Sequence, residues 1–437
     1  MKASTKSYLL NRVMVAALLS GLAMQGSLAA NPTVPVFQGQ LLLEPVLDNT
    51  KCLTAASNAD GAAVTLQGCT GAQSQLWTFD NGAVKVHGNK CLDVTGGSQN
   101  NGNHLQIWTC GNGNPNQSWD YDIWGNRLVW HTHTNKCADL SAGNTADGTP
   151  VQLWDCVWNS NQVWNTGYMS NALPHQSQQD QTGYNDCGAG SSDSSMCQTA
   201  WINSADDFCL WAPPSVGEIG ATEENEVAWC TKSGRGTRVM PEGTLSGVHF
   251  VETPDYVQIT GVGDFTKINV AKGDEGGELD NRGATGKGNP IGGLLYGSTF
   301  GNNMQYHEWT NFMSDTQFCF RACKGPKATQ LCNHIYDEMG CEWNMPANYS
   351  PNQVEQCKGN DAYVALLPTL LLQAHNMQSI AFSEPMGIYT TGTFIGTFHQ
   401  GDKTTPGPHP APSSSECTTL PSITPSAAQT KRGNRRN

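Results

Sequence analysis

Three tryptophans recur in step along the first third of the chain. Trp77, Trp119 and Trp164 each close a Gln-x-Trp triplet, Gln75-Leu76-Trp77, Gln117-Ser118-Trp119 and Gln162-Val163-Trp164, at spacings of 42 and 45 residues. Cysteines keep the same phase: Cys52 and Cys69, Cys91 and Cys110, and Cys137 and Cys156 lie 17, 19 and 19 residues apart, at one place in each copy. A unit of about 40 residues cannot bury its own tryptophan, so the three copies must share a core. Runs such as Leu105-Gln106-Ile107-Trp108 and Val151-Gln152-Leu153-Trp154, bounded by Gly, Asn and Asp, read as short strands, and no long stretch carries a helical stripe. Val36 to Tyr168 is therefore predicted to be all-β and closed around a pseudo-threefold axis, with the Gln-x-Trp indoles inside. A disulfide within each copy closes a short loop, worth on the order of 3 kcal/mol.

Over about 130 residues these features resemble the ricin B-type β-trefoil lectins, also described as family 13 carbohydrate-binding modules. The resemblance implies a shallow sugar pocket in each repeat: an Asp two residues after the first Cys, an aromatic ring before the second, and an Asn-Gln pair leading into the Trp. The second repeat keeps this pattern in Asp93, Gln106, Trp108, Asn116 and Gln117, and the third keeps it in Asp139, Gln152, Trp154, Asn161 and Gln162. The first repeat has Thr54, Thr65, Gln67 and Ser74 at those places and is expected to hold no sugar. The residue types suit the chemistry. A carboxylate accepts hydrogen bonds from two adjacent hydroxyls, Asn both donates and accepts, and an indole lies against the C–H face of a pyranose. The Gln-x-Trp glutamine is expected to orient the Asp. Galactose-type or xylan-type glycans are the expected partners. The bland alternative is that the same residues are only turn formers and core parts.

The compartment is read from the first thirty residues and the cysteine count. Lys2, Lys6 and Arg12 precede an apolar stretch from Val13 to Met24 and the small-residue segment Ser27-Leu28-Ala29-Ala30, the layout of a signal peptide over residues 1–30. The apolar stretch is shorter than the roughly 20 residues a membrane span needs, so no membrane insertion is expected. All 16 cysteines lie after the signal, an even number that fits disulfides in a secreted, extracellular or cell-wall-associated protein. The net charge of -13 argues against a nucleic-acid partner, which needs a basic field.

Residues 169–182, rich in Gln, Asn and Ser, read as a linker, and 183–402 as a second, disulfide-rich, mainly β domain of unknown topology. Its region holds ten cysteines without the repeat's spacing: Cys187, Cys197, Cys209, Cys230, Cys319, Cys323, Cys332, Cys341, Cys357 and Cys417. Val248 to Glu252, Tyr256 to Thr260 and Thr266 to Val270 are predicted strands, with short helices between Cys319 and Tyr336. Segments from Trp201 to Pro214 and from Glu308 to Met313 resemble those of uncharacterised secreted cysteine-rich fungal proteins, which implies a source and compartment but no mechanism. Ala362 to Met386, free of Gly and Cys, reads as an insertion or a Pro-broken buried helix, and residues 403–437 as a Pro/Ser/Thr-rich and basic disordered tail.

Asp255, Asp264, Asp274, Glu275, Glu278 and Asp280 crowd one window, and paired carboxylates are what glycoside hydrolysis requires. A glycoside hydrolase guided by the trefoil is thus the alternative to a lectin without catalysis. The interspersed glycines favour a solvated acidic loop instead, and no catalytic residues are assigned. Neither the histidine pattern nor Cys319-x-x-x-Cys323 points to a metal site, and no cofactor is expected. Asn116-Gln117-Ser118 and Asn348-Tyr349-Ser350 are the two N-glycosylation sequons. Asn116 is expected to stay unmodified because its segment packs beside Trp119.

Overall fold

The computed structural model describes residues 37, 39–122, 125–157, 159–169, 173–174, 183–185, 187–325, 327–361, 386–391, 394–399 and 407–423. The expected signal peptide, nearly all of the linker, the 362–385 stretch and the basic end lie outside the described residues.

Twelve strands between Leu41 and Tyr168 form the three copies, four to a copy. Within each copy the alternating runs put one face inward: Leu53, Val64 and Leu66 in the first, Leu92, Leu105 and Ile107 in the second, Ala138, Val151 and Leu153 in the third. Trp77, Trp119 and Trp164 are buried, and each indole N–H donates to a strand carbonyl, of Leu53 at 2.9 Å, Leu92 at 3.0 Å and Ala138 at 3.1 Å. The polar end of each large ring is thus satisfied while its area stays in the core. The pseudo-symmetry closes through the backbone, where Gly61, Gly102 and Gly148 donate to the carbonyls of Ile107, Leu153 and Leu66 at 2.9, 2.9 and 2.8 Å. The first strand, Leu41–Pro45, pairs antiparallel with the last, Trp164–Tyr168, so the ends of the unit staple each other. This is a β-trefoil. Each copy carries its own disulfide, Cys52–Cys69, Cys91–Cys110 and Cys137–Cys156.

The rest of the described chain is built on two larger sheets. One has six strands in the order Arg238–Val239, Val227–Cys230, Asp207–Ala212, Thr199–Ser204, Leu294–Gly297 and Met304–Tyr306. The other has seven, in the order Gly277–Asp280, Glu308–Met313, Gln317–Cys323, Tyr256–Gly263, Leu245–Glu252, Val354–Gly359 and Ser414–Leu420. Aromatic rings join the sheets. Trp211 of the first stacks on Trp309 of the second with centroids 4.3 Å apart, and Phe208 meets Phe318 at 5.7 Å. The ten remaining cysteines pair as Cys187–Cys197, Cys209–Cys230, Cys319–Cys341, Cys323–Cys332 and Cys357–Cys417.

Two local expectations change. Thr266 to Val270 is not a strand: Phe265–Ile268 is a 3-10 turn whose buried Phe265 and Ile268 are three residues apart, a spacing that fits a helical turn and not a pleat. The short helix expected between Cys319 and Tyr336 is present as Ala328–Leu331, following the strand that holds Cys319 and Cys323, and Gly340–Asn344 is a second. Disorder from 403 onward does not hold for Ser414–Leu420, which forms an edge strand on Val354–Gly359, tied by Cys357–Cys417.

The trefoil and the sheets share a seam at residues 300–303. Tyr168 N donates to Asn302 O at 2.7 Å, Asn165 Nδ2 to Phe300 O at 2.7 Å, and Asn303 Nδ2 to Tyr168 O at 3.0 Å. Glu44, wholly buried, accepts from both Asn302 N and Asn302 Nδ2 at 2.9 and 2.8 Å.

Candidate functional site

In the second repeat, strand Lys90–Val94 lies antiparallel to Asn103–Thr109 with Asp93 opposite Gln106. Opposed residues share a face, and Trp108, two positions on, projects to that same face. Asp93 Oδ1 accepts from Gln106 Nε2 at 2.9 Å, and Oδ2 accepts from Gln117 Nε2 at 3.0 Å. The third repeat copies this arrangement: Asp139 Oδ1 accepts from Gln152 Nε2 and Oδ2 from Gln162 Nε2, both at 3.0 Å. Both carboxylates are nearly covered, at 4% and 3% exposure, whereas Trp108 and Trp154 stand open at 45% and 38%. Burial pushes both Asp carboxyls above the usual carboxylate range, and the amide hydrogen bonds oppose it.

The glutamine of each Gln-x-Trp triplet is a three-way tie. Gln117 Oε1 accepts from Gly111 N at 2.8 Å while its Nε2 also reaches Thr109 O at 3.2 Å. Gln162 does the same with Val157 N and Asp155 O, each at 2.8 Å. The carboxylate is thereby anchored to the loop behind the second cysteine. In the first repeat Gln75 keeps these ties but meets the hydroxyl of Thr54 at 3.1 Å, so the scaffold is retained and the charge is absent.

Asn116 and Asn161 sit in the short 3-10 turns Pro115–Gln117 and Ser160–Gln162. Each leans on a glycine that the sequence reading missed. A Cβ on Gly97 would stand 2.9 Å from Asn116 Oδ1, and one on Gly143 would stand 2.7 Å from Asn161 Oδ1. Both glycines fall four residues after the site Asp, an offset the first repeat fills with Asn58, so aligning the copies would have exposed them. Both also hold a positive φ, +64° at Gly97 and +63° at Gly143. Gly97→Ala is expected to displace Asn116 and weaken sugar binding at the second repeat about tenfold, leaving the third unchanged; calorimetric titration of the single variant measures it. Because the Asn116 amide is packed close to Gly97, peptide mapping of the secreted protein is expected to find that residue unmodified.

Neighbouring copies wall each pocket. Asp60 of the first copy accepts from Lys90 Nζ at 2.6 Å and from Thr109 N at 2.6 Å, beside the second pocket. At the third, Lys136 Nζ donates to Asn101 Oδ1 at 2.8 Å and Asp155 Oδ1 at 2.7 Å. The contacts of Asp60 and Asn101 across copies had no local signal, because Asp60 lies 30 residues from Lys90 and 49 from Thr109, and Asn101 lies 35 from Lys136.

The acidic window of the second region is only in part the solvated loop that its glycines suggested: Asp264 and Glu275 are exposed, but its last two acids are not. Glu278 and Asp280 lie buried on strand Gly277–Asp280. Burial, followed by a hydrogen bond from the carboxyl pair it forms with Asp337, pushes Glu278 up to about 11, and Thr310 Oγ1 donates to its Oε1 at 2.8 Å. Asp280 Oδ1 accepts from Arg282 N and Gly283 N at 2.6 and 2.8 Å, and Asp274 accepts from Ile219 N at 2.8 Å. Asp264 accepts from the Thr266 hydroxyl, and Asp255 lies against Asp361. These carboxyls are engaged in holding strands and turns. Two tight groupings of ligating atoms occur among the described residues, Glu44 with Cys52 and Cys69, and Glu355 with Cys357 and Cys417; in both the sulfurs are spent in a disulfide.

Comparison with known proteins adds to this geometry. The family profile of the ricin-type beta-trefoil lectin domain matches residues 41–164. Appressorium protein ROW1 of Mycosarcoma maydis is 48% identical over 248 residues, covering 56% of this chain and 53% of ROW1, so the chain spans about half the length of that relative. Appressorium protein ROW2 of the same organism is 47% identical over 251 residues, covering 56% of this chain and 78% of ROW2. Among solved structures, the designed three-fold symmetric protein ThreeFoil is 26% identical with a TM-score of 0.28, covering 30% of this chain and all of that one. The C-half of the earthworm R-type lectin in complex with GalNAc is 18% identical with a TM-score of 0.26, covering 30% of this chain and 98% of its own.

Proposed function

Because the chain belongs to the family of the appressorium proteins ROW1 and ROW2 and carries a ricin-type β-trefoil lectin domain, we propose that it is a secreted lectin whose second and third repeats hold galactose-type or xylan-type glycans. The observation that carries this reading is the duplicated pocket: a carboxylate bracketed by two amides beside an open indole, built twice and missing its charge in the first copy. Asp93 and Asp139 take hydrogen bonds from adjacent sugar hydroxyls, Asn116 and Asn161 complete the polar rim, and Trp108 and Trp154 receive the apolar face of the ring. The amides that bracket each carboxylate fix its orientation before the sugar arrives, so little is lost in ordering it on binding.

Residues 1–30 act as the secretory signal, 35–168 as the lectin module, and 183–402 as a disulfide-stabilised partner module that the lectin brings to a glycan surface. The eight disulfides support an extracellular site of action. Glycan-array binding by the full-length protein tests the reading. Enrichment on terminal galactose or on xylo-oligosaccharides is the expected result, and no binding to any glycan would sink it.

A further inference from the structure

We propose that Asn348 is an N-glycan acceptor and that the first sugars of its glycan lie in the groove beside it. Asn348-Tyr349-Ser350 is the second of the two sequons, and the Asn348 side chain is exposed. Its amide is held in place: Oδ1 accepts from Ser350 N at 2.9 Å, and Nδ2 donates to Glu355 Oε1 at 2.9 Å. An amide nitrogen carries two hydrogens, and the contact to Glu355 uses one. The other can be exchanged for a glycosidic bond while that contact persists. Glu355 is itself braced, since its Oε1 lies 2.7 Å from Nδ1 of buried His249, whose Nε2 is 2.9 Å from Ser350 O. The acceptor therefore sits on a loop fixed to the sheet at both ends of the sequon.

An open groove of about 460 Å³ adjoins it, lined by Glu342, Pro346, Tyr349, Pro408, His409 and Ala411. Pockets that take small ligands run from about 300 to 1,000 Å³, so the groove has room for the first one or two sugars. Its mixture of proline faces and polar side chains matches the alternating C–H and hydroxyl surfaces of a sugar. At Asn116, by contrast, the amide is half-buried and lies close to Gly97.

In the transfer, Nδ2 of Asn348 attacks C1 of the reducing-end sugar of a lipid-pyrophosphate-linked oligosaccharide. The N–C1 bond forms as the C1–O bond breaks, the lipid pyrophosphate departs with that electron pair, and one Nδ2 proton goes to a base. Neither partner is oxidised or reduced. Meeting that donor requires the secretory pathway, so the inference rests on the secretion proposed above.

The full chain, expressed with its own N-terminus in a yeast secretory host, is analysed by intact mass and glycopeptide mapping. The expected result is a hexose-bearing glycan on the peptide holding Asn348, removable by peptide-N-glycosidase and absent from both Asn348→Gln and Ser350→Ala. Ser350→Ala keeps the asparagine and so separates loss of the acceptor motif from loss of folding. A secreted chain with an unmodified Asn348 overturns this inference and leaves secretion standing. A chain that is neither glycosylated nor released into the medium overturns both readings.

Discussion

Asp93→Ala combined with Asp139→Ala reduces glycan binding to background, while each single variant keeps half of the soluble-sugar stoichiometry at an unchanged Kd. The argument is from the geometry of the two pockets. Each carboxylate is held by its own pair of glutamine amides, Gln106 and Gln117 in one case, Gln152 and Gln162 in the other, and no residue is shared between them. The sites should therefore titrate independently in solution. On a polymer or a cell surface the outcome differs, because a second site on a rigid scaffold multiplies the apparent affinity by a factor of about 100 or more. Either single variant is then expected to lose about 100-fold in surface binding while the intact site keeps its own Kd. Thr54→Ala, in the copy with no carboxylate, is expected to change neither quantity. Titration calorimetry with a monosaccharide and a binding isotherm on an immobilised polysaccharide measure the two effects separately. Unaltered surface binding in the double variant would place the sugar somewhere other than these pockets.

How much of this was legible in the sequence follows from which contacts are local. The trefoil could be read because its symmetry repeats every constraint three times: the Gln-x-Trp triplet, the cysteine phase and the alternation all reinforce one answer. The site acids and indoles lie at fixed offsets within one copy and were legible for the same reason. The glycines behind Asn116 and Asn161 were equally local but do not look like site residues, since they act by having no side chain. The second region has no repeat to average over. Its sheet pairs Leu245–Glu252 with Val354–Gly359 and Thr199–Ser204 with Leu294–Gly297, parallel neighbours about a hundred residues apart that no local pattern announces. The end of the acidic window misled because glycine flexibility was read from composition, whereas pairing with Glu308–Met313 turns Gly277–Asp280 into a strand and buries Glu278.

Lowering the pH from about 7.5 to about 5 is expected to stabilise the protein through Glu44, with a Glu44→Gln variant lacking that part of the pH dependence. Glu44 closes the apolar run Leu41-Leu42-Leu43 and lies at the seam, where Gly167 and Gly301 crowd its carboxyl so closely that a Cβ on either would stand 2.8 or 2.6 Å from an oxygen. Burial pushes its pKa from the ordinary 4.5 to about 7, against the opposing pull of the two Asn302 hydrogen bonds. The sign follows directly. Below pH about 4.5 the carboxyl is protonated in both states and costs nothing; as the pH rises the unfolded chain ionises first, so stability falls until the folded carboxyl ionises near 7. A shift of this size corresponds to about 3 kcal/mol in total, of which about 2 kcal/mol is lost between pH 5 and pH 7.5. Urea unfolding followed by tryptophan fluorescence, with disulfides intact, gives the slope for both proteins. Other buried acids, Glu278 and Glu308 among them, also contribute to it, but they are common to wild type and variant and cancel in the difference. Equal pH slopes in the two proteins would mean that Glu44 stays ionised in the fold, stabilised by Asn302 more strongly than burial opposes it.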